Sequence, residues 1–192
     1  MVKRIGFICE GESEKIIIES ERFQLFLTQN GLSCAKVVDA NGNGSLLPKN
    51  IKNHLITMER YDAEVVVILT DLDEDKCITL TKDRIKPGLP ENAIVVVSVK
   101  AIESWFLADS STMSTITKKN FFYELPEKTD SKPIDAINEV FKMELDRGVG
   151  RRGKPGLAKY FVNQGFEVNN AAQHPNCPSA KYFINKLQEL AQ

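Results

Sequence analysis

Val65-Val66-Val67-Ile68-Leu69-Thr70 runs without interruption into Asp71-Leu72-Asp73. An unbroken aliphatic run of this kind suits a central strand covered on both faces, whereas a strand with one wet face would alternate. The same design recurs on either side of it. Ile5-Gly6-Phe7-Ile8-Cys9 ends at Glu10-Gly11, and Ile94-Val95-Val96-Val97 leads through Ser98 to Glu103. Helical patterns separate these strands. One covers 13–30, with Ile17, Ile18, Phe23, Leu25, Phe26 and Leu27 as its apolar positions and Gly31 where a helix should end. Others cover 48–60 and 74–86. A further strand near 34–38 precedes the turn-rich Asn41-Gly42-Asn43-Gly44-Ser45. Strands alternating with helices predict βαβ units with right-handed crossovers. The fold class expected is therefore α/β, a Rossmann-like, mostly parallel sheet flanked by helices.

A helix over 101–109 carries Trp105, Phe106 and Leu107, which read as core. Beyond residue 110 the β signal fades, and helices are expected over 134–146, 154–164 and 179–192. This divides the chain into an α/β core, 1–110, and a helical C-terminal extension, 111–192, packed on it.

Composition narrows the function. In 192 residues, 25 Lys and Arg stand against 26 Asp and Glu, so no global basic field draws in a polyanion and any nucleic-acid contact needs a local patch. No apolar run approaches the roughly 20 residues that span a bilayer. Met1-Val2-Lys3-Arg4 flows into a strand, not into a signal peptide's apolar core, so a cytoplasmic protein with no membrane partner is expected. Cys9, Cys34, Cys77 and Cys177 are scattered without a C-x-x-C pair and read as reduced thiols. His54 and His174, the two histidines, sit in no metal motif.

In a parallel sheet the carboxyl ends of the strands line one rim, and ligand sites form there. Three strands here run into acids. Glu10 ends the first, and Glu14 follows four residues on, in the first turn of the next helix. Asp71 and Asp73 end the third strand, spaced to point the same way from an extended segment. Glu74 and Asp75 thicken the charge. Glu103 opens the helix after the last strand. Converging carboxylates repel unless a proton or cation intervenes, and oxygen-only donors suit Mg²⁺ or Mn²⁺. Capping offers another role for Glu12, Glu14 and Asp73, since acids favour helix N-termini. The metal reading requires Glu10 within a cation's reach of Asp71 and Asp73, with those groups not already neutralised by Lys or Arg. On the basic side, Arg151, Arg152 and Lys154 occupy the Gly-rich stretch 147–156, which lacks Walker A spacing. They are the candidate nucleic-acid-binding residues, with a solvated loop as the alternative. Lys154 could also stabilise charge developing on a phosphodiester, and Lys100 is a further candidate.

These residues resemble the Toprim family, the metal-binding domain of topoisomerases, bacterial primases, recombination proteins and OLD-type nucleases. Phe7-Ile8-Cys9-Glu10-Gly11-Glu12-Ser13-Glu14 is similar to that family's strand followed by an E-G-x-[ST]-E turn, and Val67-Ile68-Leu69-Thr70-Asp71-Leu72-Asp73 to its strand ending in D-x-D. Val97 to Asp109, Gly153-Lys154-Pro155-Gly156-Leu157 and Cys177-Pro178-Ser179 resemble segments of small stand-alone Toprim-like proteins, often encoded beside ATPases in prokaryotic defence loci. The resemblance implies metal ligation by Glu10, Glu14, Asp71, Asp73 and Glu103, with Glu10 as general acid/base and Lys154 assisting scission as catalytic residues. No topoisomerase tyrosine context or primase zinc module accompanies the motifs.

Two functions follow as expectations. One is a divalent-metal-dependent nuclease, using Mg²⁺ or Mn²⁺ on DNA or RNA, as an antiviral defence effector. The other is a non-catalytic Toprim-like scaffold that binds nucleic acid or a partner ATPase. A homodimer is compatible with either. Phosphate-ester chemistry on a small molecule would use the same ions but needs a closed pocket.

Overall fold

A computed structural model describes residues 2–150 and 153–192. Four strands, β1 (Lys3–Cys9), β2 (Leu32–Asp39), β3 (Val65–Asp71) and β4 (Ile94–Ser98), form one sheet in the order β2-β1-β3-β4. Every pairing is parallel, so the mostly parallel sheet expected is wholly parallel. The aliphatic run at 65–69 becomes β3, an interior strand buried along its whole length.

The chain leaves β1 in one direction and, after β2, returns across β1 in the other. Its helices swap faces accordingly, as crossovers of one hand require. Helices α1 (Glu12–Ile18) and α2 (Glu21–Gln29) pack Ile17, Phe23 and Leu27 against Phe7 and Val67. On the opposite face, α3 (Lys52–Arg60) and α4 (Ile78–Ile85) pack Met58 and Ile85 against Ile8, Ile68 and Val97. Odd and even positions of β1 and β3 thus feed different cores, the period of two that a strand imposes. Gly6 faces α3, where a Cβ would collide with the Met58 sulfur and stand 2.9 Å from the Ala63 Cβ.

The remaining helices are α5 (Glu103–Ala108), α6 (Ser110–Thr117), α7 (Pro133–Leu145), α8 (Gly153–Asn163), α9 (Val168–Gln173) and α10 (Pro178–Leu190). Phe141, Phe161 and Phe183 of this group share one buried cluster with Phe7, Val67 and Trp105.

Three local readings change. The single helix expected over 13–30 is two, because the Ser20 hydroxyl caps a new start at Glu21 by accepting from the Phe23 N–H. The helix expected from residue 74 begins at Ile78, leaving the acidic stretch in a loop. Short helices α6 and α9 stand where no periodic pattern was read.

Candidate functional site

The direction of travel reverses between β1 and β3, the place where open parallel sheets form their binding crevices. Glu10 leaves β1 there and Asp71 closes β3 there. The Glu10 Oε2 accepts a hydrogen bond from the Asp71 N–H at 3.1 Å and one from the Thr70 hydroxyl at 2.5 Å. Gly11 is extended (φ −149°), so no left-handed turn demands glycine, and its N–H donates to the Glu14 Oε2 at 3.2 Å.

Asp71 is almost wholly buried. Its Oδ1 accepts from the Ser98 hydroxyl at 2.5 Å and from the Ile102 N–H at 2.8 Å. Glu103 is fully buried, and among the described residues neither of its oxygens has an aligned hydrogen-bond donor. Between these carboxylates stands Lys154, its Nζ 3.6 Å from the Asp71 Oδ2 and 3.3 Å from the Glu103 Oε2. The latter contact lies within ion-pair range but lacks hydrogen-bond alignment. Glu14 is buried close enough for its charge to act on Asp71 and Lys154.

Burial is the first cause of every carboxyl shift here, and neighbouring carboxylates add to it. Burial, then Glu10 and Glu103 nearby, pushes Glu14 up to about 7. Burial raises Asp71 as well, with Glu14 and Glu103 adding to it, and it raises Glu103 against the opposing pull of Lys154. Burial pulls the Lys154 ammonium down, but Glu103 and Asp71 more than offset this and hold it above its ordinary range. Among the described residues, three buried carboxyl groups face a single ammonium.

The structure therefore brings Glu14, Asp71, Glu103 and Lys154 together, with Glu10 bound to the backbone beside them. Asp73 diverges. It adopts a left-handed conformation (φ 49°), its N–H donates to the Lys100 carbonyl at 3.0 Å, and its Oδ2 lies 3.5 Å from the Asn43 Nδ2. Asp75 is taken by Arg84 at 2.9 Å and the Thr81 hydroxyl at 2.8 Å. Lys100 is not free for a phosphate, since its ammonium donates to the Thr129 and Ser131 carbonyls. Glu12 pairs with Lys159 at 3.2 Å on the surface. Arg151 and Arg152 lie outside the described residues. Thr70 and Ser98, which orient the carboxylates, escaped the sequence reading. Their signal was a hydroxyl at the polar end of an apolar strand.

Beside the cluster opens a cleft of about 690 Å³, with Glu103, Lys154, Asp73 and Lys100 in its lining. The donor set suits a hard divalent cation in chemistry, being all carboxylate, in surplus charge and in the two orphaned oxygens of Glu103. It is not preassembled: among the described residues no three acidic, histidine or cysteine side chains are grouped to hold an ion. Of Glu10, Asp71 and Asp73, Asp71 has a Lys partner, Lys154 at 3.6 Å, so the requirement that Lys leave these groups free is not met at Asp71.

Among the described residues no helix is long and apolar enough to cross a membrane, and all four cysteines are free thiols. No family model matches the chain, and no curated protein matches it. Among solved structures it is similar to the C-terminal region of the OLD protein of Xanthomonas campestris pv. campestris, at 14% identity, over 98% of this chain and 96% of that one, with a TM-score of 0.42. At that level the likeness assigns no residue a role.

Proposed function

We propose that this protein is a divalent-cation-dependent nuclease whose Mg²⁺ or Mn²⁺ site is built on Glu14, Asp71 and Glu103, with Glu10 and Asp73 at its margin. One observation carries the reading: among the described residues, three buried carboxyl groups gather at the sheet's switch point around one ammonium. A bound divalent ion would polarise a phosphodiester oxygen and lower the pKa of an attacking water. Within the protein, Ser98 and the Ile102 N–H hold Asp71 in one orientation. Burial in α5 fixes Glu103, and Lys154 reaches the rim from α8, on the cleft side where a phosphate backbone would lie. Arg151 and Arg152 extend the basic segment in sequence and are the natural partners for further phosphates. On the sequence resemblance, the cell context is prokaryotic antiviral defence, beside an ATPase.

The test is cleavage of DNA and RNA with Mg²⁺, Mn²⁺ or chelator by wild type, Asp71→Asn and Glu103→Gln. Each substitution should lower cleavage at least ~100-fold with an unchanged circular dichroism spectrum. Wild-type rates from Asp71→Asn would overturn the proposal.

A second reading, a scaffold subunit without its own activity, is favoured by the lack of a preassembled ion-holding set and by the acids lining the cleft. Assaying the chain alone and with a neighbouring ATPase separates the two, since a scaffold cleaves in neither case.

A further inference from the structure

The members of this cluster differ in their freedom to leave it. Asp71 and Glu103 are 6% and 0% exposed, and Asp71 is anchored by Ser98 and by the Ile102 N–H. The Lys154 side chain is 45% exposed, on a flexible four-carbon stem at the edge of the cleft. It lies in the first turn of α8. Among the described residues no aligned hydrogen-bond donor serves the Glu103 oxygens, and the cation beside them is the Lys154 ammonium at 3.3 Å. An ammonium brings one positive charge to this spot, and a divalent ion brings two against the same carboxylates.

We propose that Lys154 is an exchangeable internal cation: it occupies the place a divalent ion takes, and it yields that place by swinging into the cleft when the ion enters. The proposal rests on the metal reading above and adds a competition to it. Ion and ammonium exclude one another at Asp71 and Glu103, so each weakens the other's hold by the same factor. Exchange releases a cationic side chain on the cleft side at the moment the ion arrives, coupling ion entry to the appearance of a phosphate-binding group. It also keeps the carboxylates together until then, offsetting part of the repulsion that would spread them.

The test uses the whole chain at fixed pH and ionic strength, with Mn²⁺ as the probe. In calorimetric titrations, Lys154→Met, which keeps the stem and removes the charge, should bind Mn²⁺ roughly tenfold more tightly than wild type. An equal or weaker affinity in Lys154→Met would overturn the exchange while leaving the metal site standing. No Mn²⁺ binding by either protein would overturn both proposals. A second measurement needs no variant. In wild type, acylation of Lys154 by an amine-reactive ester, followed by mass spectrometry, should rise severalfold on adding Mn²⁺, while that of the other lysines is unchanged. Labelling of Lys154 that stays constant while calorimetry records ion binding would overturn the exchange independently.

Discussion

Glu10 binds the backbone of Asp71, its Oε2 accepting the Asp71 N–H at 3.1 Å. A side chain leaving β1 thereby ties down the end of β3, at the point where the chain reverses direction across the sheet. Glu10→Gln keeps an acceptor oxygen and removes the charge, whereas Glu10→Ala removes both. Urea unfolding should find Glu10→Ala less stable than Glu10→Gln by about 1 kcal/mol, the worth of an ordinary hydrogen bond. Equal stability of the two would show that this tie contributes nothing.

The cluster makes stability fall as pH rises. Glu14 titrates near 4.5 when unfolded and at about 7 when folded, so between those values the folded state keeps a proton that the unfolded state releases. That contribution is complete below the unfolded value and is lost as pH climbs through the folded one. Asp71 and Glu103, also raised by burial, act in the same direction. The Glu14 shift amounts to roughly 3 kcal/mol, or several degrees of melting temperature for a domain this size. Thermal melts without divalent ions should show wild type losing stability from pH 5 to 7.5, with a clearly flatter profile in Glu14→Gln. Parallel profiles for the two proteins would refute this account.

Ser179 joins the C-terminal helices to the rim of the sheet. Its hydroxyl accepts from the Trp105 Nε1–H at 2.7 Å and donates to the buried Glu127 at 2.5 Å, and the Val99 N–H lies 3.4 Å away. Ser179→Ala leaves the indole N–H buried without an acceptor, a loss of about 2 kcal/mol. Chemical denaturation measures it, and a change under ~0.5 kcal/mol would mean that water replaces the hydroxyl.

Gly6 is glycine because α3 lies against β1. A methyl there meets the Met58 sulfur, so Gly6→Ala should cost about 2 kcal/mol through overpacking. Met58→Ala opens the same space, and a double-mutant cycle should return a favourable coupling of at least ~0.5 kcal/mol. Strict additivity would place the crowding elsewhere.

The strands were legible because their apolar runs are long and local. Val65 to Leu69 must be covered on both faces wherever they go, and that requirement needs no knowledge of the partner. The acids ending those strands were equally visible. The left-handed backbone of Asp73 was not, since its N–H donates to the Lys100 carbonyl, 27 positions further on. The break in the first helix was written in Ser20, but a local capping signal competes with the apolar period around it, and the capped start won. Helices α6 and α9 are short pieces that exist by packing, with too few turns to display a period.

By itself the sequence determined a parallel α/β sheet with carboxylates at the ends of its strands, because strand period, burial and strand direction are properties of short stretches. It also marked Lys154 as a basic residue of interest, without its address. Only the tertiary structure decided that Lys154 stands between Asp71 and Glu103, and that Glu127, Ser179 and Trp105 join the far end of the chain to the rim. Those contacts join residues 51 to 83 positions apart in the chain, and their geometry depends on how α5, α8 and α10 close over the sheet, which no local pattern encodes.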